Sequence, residues 1–166
     1  IAEERRQGTF EILVTLPVAD WEVVLGKYLA ALGFLAALLV VSLGIPVTVS
    51  MAADIEWGPV VGGYLGLLLV GGSYLAIGLL ASSLTVHQII AFFVAVTVSF
   101  LFYYVNYATT FISGPLASVL QYLSFPYHFN NMARGVVDSR DGLYFLSVIA
   151  ACLMGANVSL QARRWR

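Results

Sequence analysis

The sequence predicts an all-α, polytopic membrane protein, and composition and patterning both support this fold class. Of the 166 residues, 60% are hydrophobic and 10% are charged, and the mean hydropathy is +0.90. A soluble domain carries roughly 25% charged residues and still exposes about 30% of its chain's surface to water. Four long stretches are also apolar and nearly free of charge. A lipid bilayer can accommodate this much apolar surface, whereas a water-soluble fold of this length cannot.

Each apolar stretch is long enough for a transmembrane helix, which needs about 20 residues. The four predicted spans are at about residues 28–53, 59–84, 89–112 and 142–160. Helices are favoured because every backbone N–H and C=O must find a partner within a segment surrounded by lipid. The alternating pattern of a membrane β-barrel is absent from the sequence.

The positions of Lys and Arg predict that both ends of this chain lie in the cytoplasm. Six of the 8 basic residues lie near the first span or after the last one, and two lie in the long loop at residues 113–141. Four spans bring both ends to one side of the membrane, and the more basic side is the cytoplasmic one. The expected organisation is a cytoplasmic segment at residues 1–19, a transmembrane domain at residues 20–166, and an outer loop at residues 113–141.

Residues 3–16 are predicted to form a short amphipathic helix on the cytoplasmic side. Phe10, Leu13 and Val14 share one face by their i, i+3 and i+4 spacing. A membrane anchor is one interpretation of this helix. However, a lipid-binding helix is enriched in Lys and Arg, whereas here Glu4 stands directly beside Arg5. Adjacent charges of both signs favour a surface that meets another protein.

An elbow is predicted between this helix and the first span. Pro17 prevents the helix from continuing, and Asp20 is a suitable N-cap for the span that follows. Lys27, one turn beyond the first turn of that span, is expected to extend its ammonium group back to the lipid head groups. Pro46 is expected to kink the same span near its outer end.

The outer loop is predicted to contain two short helices. The first carries a helical stripe formed by Leu116, Val119, Leu120 and Leu123. Pro126 is expected to end it, and a second helix is expected to finish near Gly135. So many apolar residues would be poorly placed in water, so we expect both helices to re-enter the outer face of the membrane; a solvated loop is the alternative. Asp138 or Ser139 can cap the last span.

Three glycines spaced four residues apart, Gly58, Gly62 and Gly66, mark one face of the second span. Small residues at this spacing let helix backbones approach closely in lipid. Ordinary tight helix packing is the favoured interpretation, and a helix that slides beside a transport path is the alternative.

Several classes of function lack support in the sequence. There is no G-x-x-x-x-G-K-[ST] phosphate loop, no zinc-type histidine pair and no catalytic carboxylate pair. A net charge of −1 gives no indication of nucleic-acid binding. His87 and His128 are predicted on opposite sides of the membrane, so they cannot share a metal ion. His128 is expected to lie at the membrane interface; contact with a substrate is the alternative.

The opening segment, "EERRQGTFEILVTLPVADWEVVLGKYLA", resembles the cytoplasmic coupling segment of type-2 ABC-transporter permeases. The family pattern E-x-x-x-G-T-x-E-x-L-x-T-x-P is carried here by Glu4, Gly8, Thr9, Glu11, Leu13, Thr15 and Pro17. The similarity is strongest to the subgroup of gliding-motility and copper-processing permeases, and it extends to the closing stretch "RGVVDSRDGLYFLSVIAACLMGANVSLQARRWR". Such permeases typically have six spans, so the resemblance also implies that this chain lacks the first two, either because the gene is truncated or because only this chain is.

The resemblance implies a membrane subunit of an ABC exporter in a bacterial or archaeal cell membrane. The chain itself would bind no cofactor, because ATP and Mg²⁺ would be bound by a separate ATPase subunit, and a second permease copy would complete the transporter. The residues expected to contact the ATPase are Glu4, Arg5, Arg6, Gly8, Thr9, Phe10, Glu11, Leu13, Val14 and Pro17. The residues expected in a gate formed by the outer helices are Leu120, Pro126, His128 and Arg134.

Two other classes of function stay open at this point. One is a membrane scaffold that recruits a cytoplasmic partner without transporting anything. The other is a facilitator that moves its substrate without an energy source. Neither the composition nor the motifs identify the substrate.

Overall fold

The structure is a computed structural model that describes residues 1–6, 19–108, 114–136 and 138–164. The described residues form eight helices and contain no strand. The helices are α1 (Ala2–Arg6), α2 (Asp20–Ser42), α3 (Gly44–Ser50), α4 (Trp57–Leu84), α5 (Gln88–Ala108), α6 (Pro115–Leu123), α7 (Phe125–Ala133) and α8 (Ser139–Arg164).

The predicted fold class, an all-α polytopic membrane protein, is confirmed. Four helical segments are long and apolar enough to cross a membrane: Asp20–Ser50, Trp57–Leu84, Gln88–Tyr107 and Ser139–Ala162. We call the side of the bundle that contains Ala2 and the turn at residues 85–87 the terminal face. The opposite side, which contains the turn at residues 51–56, is the distal face.

The first span begins earlier than expected, at Asp20 rather than near Tyr28. The expectation that Asp20 is the N-cap was wrong: Asp20 is already helical, and Ala19 precedes the helix with extended backbone angles. The Glu22 carboxylate instead accepts a hydrogen bond from the Ala19 amide at 3.0 Å. A carboxylate in this position satisfies an amide at the helix start and complements the helix dipole.

The first span is interrupted at Leu43, between α2 and α3. The interruption has a local cause, because Pro46 has no N–H to donate to the carbonyl of Ser42, four residues earlier. The Ser42 hydroxyl donates to the Leu39 carbonyl at 2.8 Å and lies 3.0 Å from the Tyr64 hydroxyl of α4. The helix is therefore interrupted three residues before Pro46, near the distal end of the span; the kink expected at this proline stays a prediction.

Helix α4 is the centre of the bundle, since it packs against α2, α5, α7 and α8. Its buried residues are mostly small: Gly62, Gly66, Gly72, Ser73, Ala76, Ile77, Ala81 and Ser83. In lipid, small residues allow the close backbone approach from which helix packing gains its van der Waals energy. The composition of α4 therefore explains why four helices can surround it.

The predicted glycine face packs against α7, not against another span. A Cβ atom at Gly62 would lie 2.2 Å from the Met132 carbonyl oxygen, and one at Gly66 would lie 3.0 Å from the Phe129 ring. A Cβ at Gly58 would meet nothing within 4 Å, although the Gly58 backbone lies close to Gly135. Two of the three glycines are thus in direct contact with the loop between α5 and α8.

The two short helices of that loop, α6 and α7, form a hairpin that extends into the bundle from the distal face. Phe125, at the tip of this α6–α7 hairpin, packs on Phe102 of α5 and Phe145 of α8. Phe102 lies six residues before Ala108, the distal end of α5, and Phe145 lies six residues after Ser139, the distal end of α8. At 1.5 Å per residue, the tip therefore lies about 9 Å below those ends.

Replacing Gly62 should destabilise this arrangement. Gly62→Ala places a Cβ within 2.2 Å of a backbone oxygen, so α7 must move away from α4. Gly63→Ala is the matched control, because its Cβ would meet nothing within 4 Å, and Ala is favoured over Gly in helices by about 1 kcal/mol. The midpoint of thermal unfolding in detergent should fall for Gly62→Ala and stay constant or rise for Gly63→Ala. Equal midpoints would contradict the close contact.

Candidate functional site

The sequence of the α6–α7 hairpin determines where its helices begin and end. Gly114 and Gly135 flank the hairpin with φ angles of +101° and +82°, which favour glycine. Pro126 was expected to end α6, but it lies in the first turn of α7. A proline fits there because its missing N–H is not needed in a first turn. The break between the helices falls at Ser124, which has extended backbone angles.

The tip of the hairpin is held by aromatic contacts from three spans. The Phe125 ring is 1% exposed and stacks on Phe102 with ring centroids 4.8 Å apart. Tyr74 and Phe145 meet the same ring at centroid distances of 5.3 and 5.5 Å. Such aromatic pairs stabilise a fold by about 0.5–1.5 kcal/mol beyond the burial of their area. The tip of the hairpin, which is its deepest part, is therefore packed tightly between the three spans.

A buried histidine–aspartate pair joins the hairpin to the last span. His128 of α7 is 1% exposed and Asp141 of α8 is 4% exposed. The His128 Nδ1 atom lies 2.6 Å from a carboxylate oxygen of Asp141, and Nε2 lies 2.8 Å from the Tyr122 carbonyl oxygen. The imidazole ring also stacks on Tyr144, with ring centroids 4.1 Å apart.

The geometry fixes how many protons the pair holds. A carbonyl oxygen can only accept, so Nε2 of His128 must carry a hydrogen and donate it to Tyr122. Nδ1 then either donates to an ionised Asp141 or accepts from a protonated one. Both arrangements hold one proton between Nδ1 and the carboxyl group and leave the pair without net charge. The hairpin can therefore be fastened by a polar pair inside an apolar bundle without burying an uncompensated charge.

Tyr144 adds a second connection between α8 and the hairpin. Its hydroxyl donates to the Leu123 carbonyl at 2.6 Å, at the end of α6. The first turns of α8 thus hold both helices of the hairpin, α7 through Asp141 and α6 through Tyr144. We call Tyr122, His128, Asp141 and Tyr144 the latch cluster.

The structure places the four expected gate residues in different environments. Leu120 is partly buried on α6, Pro126 borders a cavity, and Arg134 is exposed at the end of α7. The His128 ring is buried and both of its nitrogens are engaged, so it is closed to a substrate in this structure; its position at the membrane interface stays a prediction. Sequence analysis missed Asp141 and Tyr144; the available signal was an acidic residue in the first turn of a span that follows a loop histidine. In the described part of the chain, no group of three or more His, Cys, Asp or Glu residues could hold a metal ion.

At the terminal face, α1 is attached to the bundle. The Ala2 amide donates to the Ser82 hydroxyl of α4 at 2.9 Å, and Ala2 is buried. Glu4 forms an ion pair with Lys27 of α2. Lys27 therefore interacts with a carboxylate of the same protein, a partner that the sequence analysis did not predict.

The pKa of Glu4 is lowered from its ordinary value. Burial acts to raise it, but the hydrogen bond and the positive charge of Lys27, together with the positive charge of the Ile1 amino group, outweigh burial. A carboxyl group whose pKa is lower in the folded state contributes its full stabilisation above the ordinary pKa and loses it as the pH falls through the lowered value. The pair with Lys27 is therefore intact at neutral pH.

Only part of the predicted ATPase-contact set lies in the described residues. Glu4 pairs with Lys27, and Arg6 forms an exposed ion pair with Glu3 at 3.2 Å. Arg5 belongs to α1, but its side chain is outside the described part. The other predicted residues also lie outside it: Gly8, Thr9, Phe10, Glu11, Leu13, Val14 and Pro17.

Comparison with protein families gave a match over nearly the whole chain. A family model described as ABC-2 family transporter protein matches residues 1–157. No curated protein and no solved structure matches the chain.

The latch cluster predicts a graded response to substitution of Asp141. Asp141→Ala leaves the buried His128 without its partner, which costs roughly 3–5 kcal/mol of folding free energy. Asp141→Asn should cost much less, because an amide N–H can donate to Nδ1 of a neutral His128. The control is Asp138→Ala, which removes the carboxylate that accepts from the Arg140 amide at 3.0 Å, a cap worth about 1 kcal/mol. Unfolding midpoints in detergent should fall most for Asp141→Ala, and an equal fall for Asp141→Asn would disprove the proton arrangement.

The Glu4–Lys27 pair predicts rescue by charge exchange. Glu4→Lys and Lys27→Glu should each release α1, because each places like charges side by side. The double variant Glu4→Lys/Lys27→Glu should restore its attachment. Hydrogen exchange at the amides of residues 2–6, followed by mass spectrometry at neutral pH, should be faster in the single variants and slow again in the double variant. Unchanged exchange in the single variants would mean that other contacts hold α1.

Proposed function

The chain belongs to the ABC-2 transporter family, whose members form the membrane permease component of ABC transporters, and we propose that it couples ATP hydrolysis by a separate ATPase subunit to export. The single observation that carries this proposal is the family match over residues 1–157. The opening stretch also supports it, because the adjacent opposite charges of Glu4 and Arg5, followed by an apolar helical face, suit a protein partner better than a lipid surface.

The contacts at the terminal face support a mechanical role for segment 7–18. The segment lies between α1 and α2 in the chain. At one end, α1 is attached to α4 through Ser82; at the other, α2 is attached to α1 through Lys27. A displacement of the segment by an ATPase would therefore act on two spans together.

In this proposal the α6–α7 hairpin is the gate at the outer side. It packs on α4 through Gly62 and Gly66, so movement of α4 would act directly on α7. The latch cluster would hold the gate closed, and its opening would require separation of His128 from Asp141. The proton that the pair shares would allow it to separate and close again without a change in charge.

The other parts of the proposal concern partners and location. An ATP-binding subunit would dock beneath residues 3–17 and would bind ATP and Mg²⁺ itself. A second permease copy would complete the path, in a bacterial or archaeal cell membrane with the terminal face toward the cytoplasm. The closer likeness to gliding-motility and copper-processing permeases is supported by the opening motif alone.

The proposal predicts that single substitutions in segment 7–18 abolish binding of the ATPase. Glu11→Lys and Leu13→Asp should each prevent co-purification of the ATPase subunit encoded with this protein, because the first reverses a docking charge and the second removes an apolar contact. Asp54→Lys is the matched control for charge, since residue 54 lies in the turn on the distal face and should leave co-purification unchanged.

The unfolding midpoint of each purified variant checks that the permease itself is intact. Normal co-purification with folded Glu11→Lys and Leu13→Asp would refute the coupling role of this segment. Loss of co-purification with Asp54→Lys alone would reverse the proposed orientation.

A further inference from the structure

A cavity of about 430 Å³ lies beside the hairpin, between α4, α5 and α7. Ligand pockets in proteins commonly have volumes of about 300–1,000 Å³, so this one is large enough for a small molecule. The described residues that line it are Leu67, Val70 and Tyr74 from α4, Tyr103, Asn106 and Tyr107 from α5, and Phe125, Pro126, Phe129 and Asn130 from α7.

The lining combines hydrogen-bonding groups with aromatic faces. Five of its side chains are polar and uncharged, and they come from all three helices: Tyr74, Tyr103, Asn106, Tyr107 and Asn130. None of the described lining residues is charged. The remaining surface is apolar, with the rings of Phe125 and Phe129 on the side of α7. Such a lining can bond hydroxyl or amide groups and pack against an apolar body at the same time.

The position of Tyr74 distinguishes the tyrosines of this cavity from an ordinary belt of aromatic residues at the membrane interface. Tyrosines commonly collect at the two ends of membrane spans. The Tyr74 ring, however, meets Phe125 at the hairpin tip, with ring centroids 5.3 Å apart, and this tip lies about 9 Å below the distal ends of α5 and α8. A polar group at that depth is costly unless it has a partner. The cavity therefore extends polar chemistry from the distal face into the interior of the bundle.

Two other cavities show how different this lining is. Both lie against α4 on its distal half, with volumes of about 310 and 400 Å³. Their described lining is almost wholly aliphatic and aromatic, and Tyr64, which they share, already meets the Ser42 hydroxyl. Lipid chains suit surfaces of that kind. Of these three cavities, only the one beside the hairpin brings several hydrogen-bonding side chains together.

We propose that this cavity binds an uncharged, polyhydroxylated amphiphile, with its hydroxyl groups on the Tyr and Asn side chains and its apolar part against the phenylalanine rings. A charged head group is disfavoured, because no described lining residue could compensate an ion in this apolar setting. The suggestion that the bound molecule is the transported substrate rests on the proposed function; binding itself does not.

The inference can be tested with octyl-β-D-glucoside as the probe, below its micellar concentration, on the full chain in lipid nanodiscs without any ATPase. Octyl sulfate and octyltrimethylammonium carry the same chain with a charged head group. Saturable binding of the glucoside, and weaker binding of both ions, is the expected result. Equal binding of all three probes, or no saturable binding of the glucoside, would overturn the proposal.

Variants on adjacent residues locate the binding site. Tyr103→Phe and Asn130→Leu each remove a hydrogen-bonding group from the lining and should weaken glucoside binding about three- to tenfold, the loss of one hydrogen bond. Tyr104→Phe is the control, because Tyr104 is exposed beside Tyr103 but does not line the cavity. If Tyr104→Phe weakened binding as much as Tyr103→Phe, the site would lie elsewhere. Since no ATPase is present, this result is independent of the co-purification test of the proposed function.

Discussion

The close contact between α7 and the glycine face of α4 is the constraint on which the rest of the structure depends. The Met132 carbonyl lies where a side chain at Gly62 would begin, so α7 can reach this position only because residue 62 has no Cβ. That contact sets the depth of the hairpin. It thereby brings His128 to Asp141 and places Phe125 among the aromatic rings of three spans. The cavity beside the hairpin depends on the same contact, because α7 supplies its third wall.

The spans could be predicted from the sequence because lipid leaves the backbone few alternatives. The first hairpin helix could be predicted from its apolar spacing, and the second from its position between Pro126 and Gly135. The ends of the elements were less predictable, since single hydrogen bonds fix them. Glu22 sets the start of α2 by accepting from the Ala19 amide, although Asp20 has the more typical capping side chain. The glycine face could be predicted from the spacing of its residues. The helix that packs against it could not, because small residues permit close approach by any helix.

The two polar pairs could not be predicted, for a common physical reason. His128 and Asp141 lie on different elements, as do Glu4 and Lys27, and no periodicity links the members of either pair. The sequence suggested lipid or water as the partner of His128 and of Lys27. Only the tertiary structure determines whether a partner for such a side chain lies within reach in the same protein. For segment 7–18, in contrast, the proposed role is based on the sequence motif and on the family, and not on a tertiary contact.

Helix α4 offers a physical route between the two faces of the molecule. Ser82, which holds α1, and Gly62, which holds α7, are 20 residues apart on one helix, or about 30 Å. The helix is continuous between them and has no proline after Pro59, so it can transmit a displacement along its axis. The first span cannot do so over its full length, because it is interrupted at Leu43. An ATPase acting on segment 7–18 would therefore move the hairpin mainly through α4, while the distal part of the first span could bend independently. Because the glycine contact leaves no space between α4 and α7, even a small shift of α4 must either displace the hairpin or strain the latch cluster that holds it to α8.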